Sequence, residues 1–131
     1  MRILIVEDDF VGRKVMQRLL REYGDCDIAV DGLEAVKAFD LAWEAGTPYD
    51  VLFLDIMMPN MTGHDALRII RAKEKERGIP SAKEVKVIMT SALDDVKNVT
   101  QSFFHGGATA YLVKPIEREK LLDELAKLGL A

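Results

Sequence analysis

The sequence predicts an α/β protein, a three-layer α/β/α sandwich built as a (βα)5 doubly wound parallel sheet. Three observations carry that reading. Ile3-Leu4-Ile5-Val6 and Val51-Leu52-Phe53-Leu54 are fully apolar runs, as expected of strands covered on both faces. Between the strand-like runs, apolar residues recur at helical spacing. Turn residues mark most changes of period.

The elements follow in order. After the first strand, Val15, Met16, Leu19, Leu20 and Tyr23 form an apolar stripe among Arg13, Lys14, Arg18, Arg21 and Glu22, with Gly24 as the stop. Cys26 to Val30 reads as a short second strand. Asp31-Gly32 turns into a helix over about Leu33 to Trp43, closed by Gly46-Thr47-Pro48. The central strand 51–54 leads through a loop with Pro59 and Gly63 to a helix whose apolar side is Leu67, Ile69 and Ile70. Gly78, Pro80 and Ser81 end that helix. Lys73, Lys75 and Arg77 alternate with Glu74 and Glu76 like a solvated helix face. Val85 to Met89 is the fourth strand, and Val96, Val99 and Phe103 mark a fourth helical stretch stopped by Gly106-Gly107. Ala110 to Val113 is the fifth strand, and Leu121, Leu122, Leu125 and Leu128 stripe a final helix. Right-handed crossovers and central placement of strands 1, 3 and 4 give the flavodoxin-like strand order 2-1-3-4-5.

Bulk properties narrow the function classes. At 131 residues the chain suits one domain, able to bury roughly two thirds of its unfolded-state surface. A net charge of −4 and the lack of a basic stripe argue against direct nucleic-acid binding. Cys26 has no partner for an internal disulfide and reads as a small buried thiol in a strand. The short apolar start precludes a secretory signal, and no run reaches membrane-spanning length, so the expected location is cytoplasmic. His64 and His105 read as surface residues and Trp43 as packing.

Open parallel sheets bind ligands beyond the carboxyl ends of their strands, at the switch point between strands 1 and 3. Asp55 ends the third strand, Glu7-Asp8-Asp9 ends the first, and Lys114-Pro115 ends the fifth. Two like charges about 4 Å apart repel by about 4 kcal/mol at an effective dielectric of 20. A cluster of Glu7, Asp8 and Asp55 must therefore protonate or hold a cation. Hard oxygen ligands suit Mg²⁺, with Mn²⁺ as the alternative. Helix capping and dipole compensation account well for Asp9 and poorly for Asp8.

With these residues in order, each at a strand end, the whole chain resembles the receiver domain of two-component response regulators, of the stand-alone chemotaxis-regulator type. The resemblance rests on Glu7-Asp8, on Asp55 with Met57-Met58-Pro59 and Gly63, on Thr90-Ser91-Ala92, and on Lys114-Pro115. It implies one receiver domain over 1–131, in which Asp55 accepts a phosphoryl group. Mg²⁺ would be held by Asp8, Asp55 and the backbone carbonyl of Met57, with Glu7 acting through water. It further implies that Ser91 and Lys114 bond the phosphoryl oxygens, that Ala92 leaves them room, and that Lys114-Pro115 is cis. Thr90 should point away and cap the fourth helical stretch, and Tyr111 should swing inward with Ser91 unless it is simply a half-buried core residue.

The implied donor is a sensor histidine kinase or a histidine phosphotransfer protein, docking near helix 1 and the loop after strand 5, where Phe10, Val11 and Ile116 are candidate contacts. Output should pass to a downstream protein through the fourth helical stretch, strand 5 and the final helix, with Phe104 a candidate contact. The chain should be a monomer or a phosphorylation-dependent dimer, and no enzyme beyond its own phosphorylation and slow dephosphorylation. Met57 and Leu93 are apolar where the family flanks the path of the hydrolytic water, which implies a slowly hydrolysing acyl phosphate. The chain ends soon after the final helix, so either output goes through another protein or this is a domain of a longer chain.

Two rivals share parts of the pattern. A metal-dependent phosphohydrolase would place its nucleophilic Asp where Glu7 stands, and it would need a cap. A flavin-binding protein of the same topology would need a phosphate cradle after strand 1, where Glu7-Asp8-Asp9 would repel phosphate.

Overall fold

Period-two alternation along the strands sorts the core into two layers. The computed structural model describes residues 1–92 and 110–130. Its five parallel strands stand in the order β2-β1-β3-β4-β5, with β1 Arg2–Val6, β2 Asp25–Ala29, β3 Val51–Asp55, β4 Lys86–Ser91 and β5 Ala110–Val113. The described helices are α1 Phe10–Leu20, α2 Gly32–Glu44, α3 Gly63–Glu76 and α4 Arg118–Lys127, with a 3-10 turn at Ser81–Lys83. The strand order is the expected one, and the most apolar strands are inside. The fourth helical stretch read from Val96, Val99, Phe103 and Gly106-Gly107, together with Leu93, Phe104 and His105, lies outside the described residues.

Ile3, Ile5, Val51, Phe53, Ile88 and Leu112 pack with Met16 and Leu20 of α1 and Leu121 and Leu125 of α4. Leu4, Leu52, Leu54, Val87 and Met89 face the other way, against Phe39 of α2 and Leu67 and Ile70 of α3. Trp43 packs at the margin of that second layer, as read. Burying a side chain the size of Phe53 or Leu54 contributes about 2–3 kcal/mol, and the two layers fix which face each strand tip presents. Asp9, Asp31 and Thr62 cap α1, α2 and α3 through their side-chain oxygens. Gly78, at φ +69°, takes the left-handed conformation that ends α3.

Three residues sit differently from their sequence reading. Val15 is 43% exposed, because the inward stripe of α1 runs through Met16 and Leu20 and leaves Val15 on the outer side. His64 is buried: three residues before Leu67, it lies on the inward face of the first turn of α3. Glu74 is fully buried, four residues after Ile70 on that same face. Its carboxylate accepts from the Val85 N–H at 2.7 Å and from Arg71 at 2.7 Å, while Arg71 also donates to the Val85 carbonyl at 2.9 Å. This buried ion pair ties α3 to the entry of β4. Cys26 is half-buried in β2, where burial first and then Asp25 and Asp27 push its thiol pKa up. No described helix is long and apolar enough to cross a membrane.

Candidate functional site

The strand ladders continue one residue past their ends and so fix the residues at the tips. The Glu7 N–H donates to the Ala29 carbonyl at 3.1 Å, the Ile56 N–H to Thr90 at 3.0 Å, and the Lys114 N–H to Ser91 at 2.7 Å. Register pairs Val6 with Leu54 and Asp55 with Thr90, so the ends of β1, β3 and β4 lie side by side. Glu7, Asp8 and Asp55 each bring a carboxylate oxygen to within 4.8 Å of the others. Asp9 turns away to cap α1, accepting from the Gly12 N–H at 2.8 Å, so the acid pair at the site is Glu7-Asp8.

Lys114 reaches into this cluster from β5, its Nζ 2.5 Å from Glu7 Oε1 and 3.3 Å from Asp55 Oδ1. The Lys114-Pro115 bond is cis, as expected. Glu7 and Asp55 are each 4% exposed. Burial first, then the hydrogen bond and charge of Glu7, push Asp55 up to about 8 against the pull of Lys114. For Glu7 burial acts upward, but hydrogen bonds with Asp55 and Lys114 and the lysine charge outweigh it and hold the pKa low. Burial would lower Lys114, yet its bond to Glu7 and the Asp55 charge raise it. In this geometry one proton is shared between two carboxylates, and it sits mainly on Asp55.

Two buried polar atoms here have no hydrogen-bond partner among the described residues: Glu7 Oε2 and Ser91 Oγ. Buried polar groups are normally paired, so an unpaired one marks work done with something else. Hard carboxylate oxygens, one of them unsatisfied, around an acid driven to protonate form a donor set that fits a divalent cation. Ser91 follows Val87 and Met89 in the alternation of β4, whereas Thr90 lines a cavity under α1 with Ile5 and Phe53. The two hydroxyls therefore lie on opposite faces, as read. Tyr111 is 36% exposed, on the boundary between surface and core. Met57, two residues past Asp55, is 57% exposed in the loop after β3.

Arg13 and Gly12 shape the site without a readable signal, and Gly63 of the motif after β3 supports it as well. Arg13 donates to the main-chain carbonyls of Glu7 at 3.1 Å and Asp8 at 2.9 Å, clamping the turn that carries both acids. Its sequence context is that of any arginine on a helix face. A Cβ on Gly12 would stand 2.6 Å from Glu7 Oε1, so only glycine leaves that carboxylate its place. A Cβ on Gly63 would strike the Asp55 carbonyl and the Ile56 Cα, so glycine also lets α3 start against the end of β3.

A sequence profile described as the response regulator receiver domain matches residues 3–126. The chain is 35% identical to the chemotaxis protein CheY of Treponema pallidum, over 97% of this chain and 81% of that protein. It is 31% identical to probable histidine kinase 2 of Oryza sativa subsp. indica over 94% of its length, and spans 12% of the length of that kinase. Among solved structures, it superposes with a TM-score of 0.76 and 30% identity on the receiver domain of sensor histidine kinase PA1611 from Pseudomonas aeruginosa, which has a magnesium ion coordinated in its active site cleft; coverage is 98% of this chain and 97% of that one. The receiver domain of Ssk1, crystallised with the phosphotransfer protein Ypd1 of Saccharomyces cerevisiae, matches with a TM-score of 0.83 and 25% identity over 98% of this chain and 88% of that one. The fold, the grouping of acids and lysine at the strand tips, and the match along nearly the whole sequence agree: the chain belongs to the response regulator receiver domain family.

Proposed function

We propose that residues 1–131 form one receiver domain acting as a phosphorylation-activated switch of a two-component phosphorelay, with Asp55 as the phosphoacceptor. The observation that carries this is the Asp55 carboxyl, nearly buried at the tip of the central strand, between Glu7 and the Lys114 ammonium. In the reaction the Asp55 carboxyl gives up its proton, and one of its oxygens attacks the phosphorus of a phosphohistidine. An O–P bond forms, the P–N bond breaks, and the departing imidazole nitrogen keeps the electron pair and takes up a proton. Asp8, Asp55 and the Met57 carbonyl, with Glu7 through water, would hold Mg²⁺ or Mn²⁺, which when bound offsets the charge of the carboxylates and of the incoming phosphoryl group.

The side chains supply the rest. Lys114 gives up its contacts with Glu7 and Asp55 for a phosphoryl oxygen, as a compact ammonium suited to phosphate. The Ser91 hydroxyl, 1% exposed and without a hydrogen-bond partner among the described residues, donates to another oxygen. Both bonds exist only in the phosphorylated state and so bias the protein toward it. Tyr111 follows Ser91, and the face of β5 and the final helix changes to control a downstream protein. The apolar Met57 and Leu93 give a hydrolytic water no partner, so the acyl phosphate is long-lived; loss of label within seconds would refute that. The chain is not a classical enzyme, since the only turnover it catalyses is its own phosphorylation and dephosphorylation.

The donor is a sensor histidine kinase or a histidine phosphotransfer protein, docking over α1 and the loop after β5. Phe10 and Val11, 62% and 65% exposed, support this, as does the yeast complex of a receiver with a phosphotransfer protein. We place the protein in the cytoplasm, as a monomer or a phosphorylation-dependent dimer. The phosphohydrolase and flavin rivals are not favoured, since the acid cluster and family match leave neither a nucleophile at position 7 nor a phosphate cradle. Incubation with acetyl phosphate and Mg²⁺ tests the proposal by intact mass. One phosphoryl group should be gained, and none in Asp55→Asn or without the metal. Steady turnover of a phosphate ester would refute it.

A further inference from the structure

Charge is unevenly spread on this chain, and the uneven part borders the route to Asp55. Although the net charge is −4, Lys14, Arg18 and Arg21 stand exposed at i, i+4 and i+7 along α1. Among the described residues none of the three has a carboxylate within ion-pair distance; the neighbouring Glu22 is taken by Arg118 at 2.7 Å. They line an open groove of about 510 Å³ that also borders Asp25, its one acid. On the adjoining side of the same helix Val11 and Val15 are exposed. Beneath them lies a cavity of about 220 Å³ whose lining includes Val11, Gly12, Val15, Ile116, Glu7 and Lys114, so the apolar strip leads to the phosphoacceptor site.

We infer that the phosphodonor engaging α1 presents an apolar contact to Val11 and Val15, flanked by carboxylates opposite Lys14, Arg18 and Arg21, and that these three cations select an acidic donor. The inference rests on reading Asp55 as the phosphoacceptor. Exposed cations without a carboxylate partner add little to the fold, whereas across an interface complementary charge raises the association rate and repels partners of like charge. An acidic protein surface fits better than nucleic acid. Three cations on a chain of net negative charge would neutralise few phosphates, and the apolar strip beside them has no counterpart on a phosphate backbone.

The test uses phosphorylated Ypd1 as donor in two engineered forms, with either glutamates or lysines at exposed positions flanking its phosphohistidine. The acceptors are the wild-type chain and the triple variant K14E/R18E/R21E. The glutamate form should transfer to wild type about tenfold faster than the lysine form, the order should reverse for the triple variant, and added salt should narrow the gap. Acetyl phosphate, which needs no docking surface, should label both acceptors equally and so show the variant folded. Equal transfer from both donors, an unchanged order in the triple variant, or displacement of the glutamate donor by a short DNA duplex would overturn the inference. Failure of acetyl phosphate to label wild type would instead overturn the phosphoacceptor reading beneath it.

Discussion

Replacing Asp55 by Asn should stabilise the metal-free protein while abolishing phosphorylation, with a pH dependence that exposes the cause. Burial first, then Glu7, lift the Asp55 pKa from 3.8 to about 8. An acid raised in the folded state costs stability as pH rises: above 3.8 the unfolded chain releases the proton, while the folded chain keeps it until about 8. Between pH 5 and 8 Glu7, shifted down, and Lys114, shifted up, hold constant charge and add no slope. At about 1.4 kcal/mol per pH unit, the full interval corresponds to about 6 kcal/mol. Water reaching the mouth of the site, where the Lys114 side chain is 34% exposed, and relaxation of the side chains reduce this to about 2 kcal/mol.

With about 2.1 cal/mol/K of unfolding entropy per residue, 2 kcal/mol moves the Tm of this chain by about 7 °C. Thermal unfolding followed by circular dichroism in a chelator should therefore place Asp55→Asn about 7 °C above wild type at pH 8 and about 2 °C above it at pH 5. Excess Mg²⁺ should narrow the gap at pH 8 by stabilising wild type more than the variant. A variant less stable than wild type, or a gap independent of pH, would refute the shared-proton account of the site.

Further substitutions test the supports of the site. Gly63→Ala forces a methyl group into the Asp55 carbonyl and should cost about 3 kcal/mol in urea unfolding. Gly12→Ala displaces the Glu7 carboxylate, so Mn²⁺ affinity by electron paramagnetic resonance should fall about tenfold, a far larger effect than its cost to stability of about 1 kcal/mol. Glu74→Ala removes the counter-ion of Arg71 and the acceptor of the Val85 N–H and should cost about 3–5 kcal/mol, whereas Glu74→Gln, whose amide oxygen still accepts, should cost less than half as much. Tyr49→Phe removes the bond from the Tyr49 hydroxyl to Asp27 at 2.7 Å and should cost about 1 kcal/mol with no effect on labelling by acetyl phosphate.

Much of the site was legible because a parallel sheet converts sequence position into spatial position. Once Ile3–Val6, Val51–Leu54 and Ala110–Val113 are strands, the residues that follow them must emerge at one edge, so Glu7, Asp8, Asp55 and Lys114 could be grouped from the string alone. The family resemblance singled out Ser91, and alternation along a strand then put Thr90 on the opposite face. Arg13 and Gly12 stayed hidden because their roles lie in contacts across a turn, with main-chain carbonyls and with the volume of one carboxylate. Neither contact leaves a periodic trace. Glu74 was misread because charge alternation along 73–77 describes neighbours in sequence, whereas burial follows the 3.6-residue face it shares with Leu67 and Ile70.

Glu74 and Asp55 together show how a buried acid that holds the fold differs from one that works. Glu74 is fully buried, yet an arginine and a backbone N–H satisfy it, and removing it would take the counter-ion from Arg71 and the acceptor from the Val85 N–H. Asp55 is nearly as buried, but among the described residues it shares its one cation with Glu7, whose second oxygen has no partner there. Folding alone would favour the amide that relieves this conflict. On the proposed reading, the carboxylate stands there at a cost of about 2 kcal/mol because it forms an acyl phosphate, chemistry that an amide cannot perform. The same substitution should therefore raise stability and end phosphorylation, a pairing that a purely structural role for Asp55 does not predict.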